Sequence, residues 1–157
     1  MSTDREMGRV TKLNPYLNFA GNAEEAFKFY KSVFGGDFTS VVRFKDMPVA
    51  GVKIPKDDEN KIMHIGLPIG GDHVLMATDA LESLGQTLVQ GNNVHISVHT
   101  ESKEEADRIF SALSQGGTIE MPIADQVWGD YYGSLKDRFG VYWMVNYASP
   151  KLNDAGT

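Results

Sequence analysis

Four histidines, His64, His73, His95 and His99, are the side chains here whose ordinary titration lies near neutrality. His95 has the most suggestive surroundings. It lies mid-strand, two residues before Ser97, so both side chains share one face of the strand. An imidazole so placed can move a proton or orient a polar ligand group, which makes His95 the candidate for acid–base work. Ser97 beside it makes no nucleophile by adjacency alone, because no third group is readable that would orient the base. His64, from another strand, could join His95 as a pair of metal ligands, with a loop carboxylate completing the set. His73 begins a strand and His99 ends one, positions suited to the surface. The chain has no cysteine, so thiolate metal sites, disulfides and cysteine nucleophiles are excluded. Its Gly-Gly pairs are turn or helix-stop signals, none within a G-x-G-x-x-G context. The acidic runs DDENK (57–61) and ESKEEAD (101–107) read as solvated faces and helix N-terminal dipole partners.

A second concentration of chemistry is WGDYYGSLKDRFGVYWMVN, residues 128–146, dense in aromatic side chains. It could line a binding cup, close a core or carry a metal ligand. Its terminal alternation turns Trp143 and Val145 toward a helix and Tyr142, Met144 and Asn146 the other way. Trp143 is assigned to the core. Trp128 and Tyr131 join Tyr142 and Met144 as candidate ligand wall, although aromatics at strand spacing are more often core.

These residues need elements to hold them. Asn14–Phe19 reads as a strand, followed by a helix over NAEEAFKFYKSVFGG with Asn22 as N-cap and Gly35-Gly36 as stop. Residues 38–44 form a strand, 47–60 an exposed loop, and 61–69 with 73–78 a hairpin about Gly70-Gly71. The order then repeats: strand 93–98, a helix over ESKEEADRIFSALSQGG, and strands 118–124, 131–136 and 141–147. NPYLNF (14–19) and NVHISV (93–98) align without a gap, each followed by EEA, an aromatic and Gly-Gly. Two copies are too few for a solenoid, so the repeat indicates a duplicated half-domain. The fold class is α+β: two tandem β-α-β-β-β modules forming a curved antiparallel sheet cup with helices on the outer face. A tail (1–12) precedes the domain (13–148), with module one at 13–79, a linker at 80–92, module two at 93–148 and a C-terminal tail at 149–157. Leu17, Phe19, Ile96 and Val98 should face the helices; Asn14, Tyr16, Asn18, Asn93, His95 and Ser97 should face the cup.

Composition agrees with one globular domain. The 157 residues are 41% apolar and 23% charged, with a net charge of −6 that disfavours nucleic acid or an anionic membrane as partner. No run of about 18 apolar residues offers a membrane span. The N-terminus has no signal-peptide core, and a cytoplasmic setting is expected.

NPYLNFAGNAEEAFKFYKSVFGG, LMATDA and WGDYYG followed by DRFGVYW resemble the PhnB-like branch of the glyoxalase/bleomycin-resistance/dioxygenase (vicinal oxygen chelate) superfamily. The resemblance runs from about Asn14 to Tyr147. It implies paired modules forming a cup, frequent homodimers and, in metal-dependent members, four ligands on the first and last strands of the modules. Those positions here carry Asn14, Met76, Asn93 and Met144. Neutral amides and thioethers match poorly to Zn²⁺, Fe²⁺ or Ni²⁺, so the metal role is not carried over. A methyl transfer, credited to some PhnB-like sequences, would need a cofactor site whose Gly-rich signature is absent.

The expectation is a homodimeric protein that binds a small organic ligand with no cofactor and no essential metal. The ligand-binding residues are Tyr16, Asn18, Met76, Thr78, His95, Ser97, Trp128, Tyr131, Tyr142 and Met144. Two rival readings remain: a metal-dependent lyase or dioxygenase using shifted ligands such as His64 and His95, and a non-catalytic scaffold whose cup is filled by its own side chains.

Overall fold

A computed structural model describes residues 11–150; most of both expected tails therefore lies outside the described residues. The chain forms two compact units, one comprising the chain through Phe27 with Gly36–Thr87, the other Lys28–Gly35 with the chain from Leu88. The elements are β1 (Tyr16–Phe19), α1 (Ala23–Phe34), β2 (Ser40–Arg43), β3 (Ile62–Pro68), β4 (Val74–Asp79), β5 (Ile96–His99), α2 (Lys103–Leu113), β6 (Thr118–Asp125), β7 (Asp130–Lys136) and β8 (Tyr142–Ala148). The division between the units falls inside α1.

Both sheets have the same order, β1-β4-β3-β2 and β5-β8-β7-β6. The helix crossover returns the chain to its starting end, and two reversals then bring the last strand beside the first. In each sheet the last three strands therefore pair antiparallel, while β1 with β4 and β5 with β8 pair parallel. The α+β architecture of two β-α-β-β-β modules is thus present, and its sheets are mixed.

In the ladders Tyr16 pairs with Met76, whereas Ser97 pairs with Met144. If the two methionines are equivalent, the modules correspond with a two-residue slip from the gapless sequence match. Ser97 takes the place of Tyr16, and His95 that of Asn14. A slip of two leaves every side chain on its expected face.

Each helix start is secured differently. The Asn22 carbonyl accepts the first helical bond of α1 from the Ala26 N–H (3.0 Å). The buried Asp79 carboxylate, at the end of β4, accepts from the Gly21 and Ala23 N–H groups (both 3.0 Å) and from Ile62 N–H (2.8 Å). In α2 the Ser102 hydroxyl accepts from the Glu105 N–H (3.0 Å), a conventional N-cap. The Gly35 N–H closes α1 on the Lys31 carbonyl with φ +80°, the left-handed stop that its sequence signals.

In the first unit Phe19, Phe27, Ile62, Ile65 and Leu67 are fully buried. The second unit is centred on Trp143, whose ring meets Tyr30 (5.4 Å between centroids) and Phe34 (5.6 Å). Beneath them Asp137, 3% exposed, accepts from the Tyr30 hydroxyl (2.6 Å), Trp143 Nε1–H (2.8 Å), Phe139 N–H (2.8 Å) and Val141 N–H (3.0 Å). Replacing Asp137 with Ala removes the shared acceptor of four donors, two of them in buried bonds, so urea denaturation should show a loss of about 3 kcal/mol or more. A loss under about 1 kcal/mol would show that water or a rearranged turn satisfies those donors instead.

Candidate functional site

The helix-free face of the first sheet gathers Tyr16 and Asn18 of β1 with Met76 and Thr78 of β4, paired in register. His64 of β3 adds to it, accepting or donating a 3.1 Å bond between Nδ1 and the Tyr16 hydroxyl. Partial burial raises the Tyr16 phenol above its ordinary value. The extra residue Met63 interrupts the ladder at a β-bulge, since Val42 pairs with His64 and Arg43 with Ile62.

In the second sheet the helix-free face carries Ser97, Tyr142 and Met144, as expected, whereas His95 stands one residue before β5 and not mid-strand, with its ring still turned to Tyr142. Ser97 pairs with Met144, and the His95 ring lies 5.2 Å from that of Tyr142. His95 also has a partner that the sequence did not disclose: Nε2 lies 2.9 Å from Oε1 of Glu120 on β6. Strands β5 and β6 are the two edges of this sheet. Flat, its edges would stand about 14 Å apart at about 4.8 Å per strand, so the pair requires the sheet to curl toward this face. Register shifts in β6 between Ile119 and Met121 leave Glu120 outside the ladder and free to turn inward. Lys136, opposite Tyr142 in the β7–β8 ladder, holds its ammonium 5.6 Å from that ring. The Ser97 hydroxyl is 3.1 Å from His99 Nε2, and His99 and His73 are exposed, as their strand-end positions suggest.

Two of the aromatic residues fall differently from one another. Trp128, 53% exposed, rests edge-on against Tyr132 (5.8 Å), and Tyr132 pairs with Asn146, on the same face as Met144. Tyr131 departs from its expected place. It pairs with Tyr147, and its alternation puts it on the α2 side, where its hydroxyl donates to Asp107 of α2 and Lys103 sits over its ring. The sequence reading took the wrong member of the Tyr131-Tyr132 pair, because the register of β7 depends on the 137–141 turn. Tyr132, Glu120 and Lys136 are the face residues that it missed. Glycine at 133 is a packing necessity: a Cβ there would stand 2.7 Å from both the Ile123 Cα and the Phe110 ring.

The four positions matching the family's metal ligands do not fit a divalent ion. The Asn14 side-chain oxygen is occupied by the Val74 N–H (2.9 Å), and Met76 and Met144 offer thioethers. Asn93 supplies only another amide, and His95, which the ladder register makes the counterpart of Asn14, brings a single imidazole whose Nε2 already faces Glu120. Among the described residues no group of three or more His, Cys, Asp or Glu side chains is arranged to hold a metal.

A profile of the Glyoxalase/Bleomycin resistance protein/Dioxygenase superfamily matches residues 12–145. The Escherichia coli protein YjdN is 31% identical over 144 residues, covering 85% of this chain and 93% of YjdN. The crystal structure of protein PA1353 from Pseudomonas aeruginosa is 37% identical with a TM-score of 0.78, covering 90% of this chain and all of that one (100%). A PhnB protein from Bacillus cereus is 29% identical with a TM-score of 0.69, covering 88% of this chain and 100% of its own.

The Tyr131–Asp107 bond generates a pH prediction. Hydrogen bonding to the Asp107 carboxylate, with burial adding to it, pushes the Tyr131 phenol up to about 12. An unfolded tyrosine titrates near 10, so the bond's contribution is complete below about pH 10 and is lost as pH rises through about 12. In an ultraviolet difference titration, Asp107→Asn should move one tyrosine midpoint, absent in Tyr131→Phe, down toward about 10. An unchanged midpoint would remove Asp107 as its cause.

Proposed function

This chain belongs to the glyoxalase/bleomycin resistance protein/dioxygenase superfamily, and on that premise we propose that it binds a small organic molecule on the helix-free faces of its sheets without an essential metal. The observation that carries this reading is the hydrogen-bonded and aromatic cluster of His95, Glu120 and Tyr142. A face meant only to close a core would be apolar; this one presents polar groups held in fixed orientation. Glu120 orients the His95 imidazole, which can then donate to or accept from a ligand, while Tyr142 and Met144 give contact area. Ser97 and Trp128 add to the contact set of the second unit, and the first unit offers Tyr16, Asn18, Met76 and Thr78 on its own helix-free face.

The likeness to the Bacillus cereus PhnB protein supports placing the chain in the PhnB-like branch. A cytoplasmic homodimer is the assembly proposed, since strand edges and apolar surface left by two small sheets are favourable to cover. No helix among the described residues is long and apolar enough to cross a membrane. Sedimentation equilibrium at micromolar concentration should give twice the 17.3 kDa chain mass, and a clean 17.3 kDa species would refute the dimer.

The metal-free reading rests on the donor set. A divalent ion at Asn14, Met76, Asn93 or Met144 would lose hydration without gaining charge-matched ligands. Protein purified without chelator should carry well under one equivalent of Zn, Ni, Fe or Mn, and EDTA should leave its Tm unchanged. Native mass spectrometry should instead detect an organic adduct that weakens in His95→Ala. Stoichiometric metal, lost together with stability in His95→Ala or His64→Ala, would overturn the proposal in favour of a shifted-ligand metalloenzyme.

A further inference from the structure

The first unit contains a hollow of about 350 Å³ that none of the expected site residues except Thr78 touches. Its floor is Met63, the bulged residue of β3, together with Thr78 of β4. The 44–54 segment lines it with Phe44, Met47 and Val52, and Leu84 also borders it. We propose that this hollow is a binding site for a compact, uncharged, mainly apolar molecule bearing one hydrogen-bonding group.

Three features carry the assignment. First, the segments that line the hollow are anchored by polar ties, so it does not depend on chance packing of a loop. Arg43, at the root of the 44–54 segment, makes paired bonds to Glu24 (3.0 and 2.7 Å) and donates to the Asn60 carbonyl (2.8 Å). The turn Glu82–Leu84 is tied down by the Ser83 hydroxyl donating to Asp58 (2.8 Å), and Asp58 is itself paired with Lys61 (2.7 Å). Those carboxylates are consumed outside the hollow.

Second, the lining has no ionisable side chain. An ion entering it would lose hydration without an opposing charge, which excludes carboxylates, phosphates and ammonium ions as the preferred occupants. Met47 and Val52 remain 57% and 41% exposed, apolar surface that an occupant would withdraw from water.

Third, the floor has one group able to recognise a polar atom. The Thr78 hydroxyl makes only two long bonds, 3.4 Å each, to the carbonyls of Ile62 and Asp79. It can exchange either for a shorter bond to a ligand oxygen. The Gln86 side-chain oxygen is already engaged by the Leu81 N–H at 2.8 Å. At the roughly 30 Å³ that a water occupies in the liquid, the volume admits about a dozen non-hydrogen atoms, the size of a substituted aromatic ring or a short branched chain.

The test uses the full chain with methyl-labelled methionine and titrates naphthol, naphthalene and naphthalenesulfonate by NMR. Naphthol should shift the Met47 and Met63 methyl signals saturably and leave Met144 in place, while the sulfonate should not bind. Val52→Glu, at a half-exposed position that the fold tolerates, should weaken naphthol on the order of tenfold or more by placing a charge in the wall. Thr78→Val should weaken naphthol several-fold and leave naphthalene unaffected. His95→Ala should change none of these, which separates this hollow from the second-unit cluster, and Met76→Ala should also change none, which separates it from the first-unit contact face that shares Thr78. Absence of a saturable Met63 shift, equal binding of the sulfonate, or indifference to Val52→Glu would each overturn the assignment. So would a Val52→Glu variant that loses self-association and not naphthol, which would make this surface a contact between copies of the chain.

Discussion

Asp137 accepts hydrogen bonds from two side chains and two backbone N–H groups while almost wholly removed from solvent. A carboxylate in that setting is tolerated only when its acceptor sites are filled, and filling them fixes the geometry around it. The Phe139 and Val141 N–H groups bend the chain around the carboxylate. Gly140, at φ +90°, closes that turn through its N–H to the Asp137 carbonyl (3.0 Å), where a side chain would strain the backbone. The turn in turn sets the register in which β7 meets β8, and so decides which aromatic residues face the helix and which face outward. The stretch from 128 to 146 therefore does two jobs in alternation: Trp143 and Val145 build the core on one side, and Tyr142 and Met144 furnish the open face on the other.

The first unit reaches a comparable end by another route. Asp79 lies at the end of β4, where Tyr147 stands in β8 if the two methionines correspond, and its carboxylate joins β3 to the start of α1. The second unit needs no such carboxylate at its helix start because Ser102 caps α2 locally. Duplication preserved strand order and face alternation, properties set by backbone pairing, while the polar anchors were free to move between positions. This also explains the two-residue slip between the modules. Parity is what burial enforces, and a slip of two costs nothing in parity.

Much of this was legible in the residues. Hydrophobic alternation, the Gly-Gly stops and the repeated order gave strands and helices within a few residues of their positions, because each signal acts over a single element. Side-chain neighbours that depend on ladder irregularities were not legible. Glu120 reaches His95 because register shifts in β6 release it and the sheet curls; Pro122 marks TIEMPIAD as an edge or bulged strand, but nothing in it says that Glu120 is the residue released. Tyr131 and Tyr132 are adjacent, and nothing local says which one continues the Met144 face. The hollow beside Thr78 was equally hidden, since residues 47–60 read as an exposed loop and its ties at Glu24, Asn60 and Asp58 are long-range.

Where the carboxylates go bears on the chemistry that is left. Asp79 and Asp137 are enclosed by structural donors, Asp58 is shared by Ser83 and Lys61, Glu24 holds Arg43, and Asp107 accepts from Tyr131. On the open faces Glu120 stands apart, because its partner is an imidazole and not a backbone group or a fixed cation. An imidazole exchanges protons and turns between donor and acceptor roles in a way that a guanidinium or an amide does not. A fold that ties these five carboxylates to framework and places Glu120 on a histidine keeps adjustable chemistry at this pair, and Tyr142 and Lys136 are the neighbours through which a bound molecule would meet it.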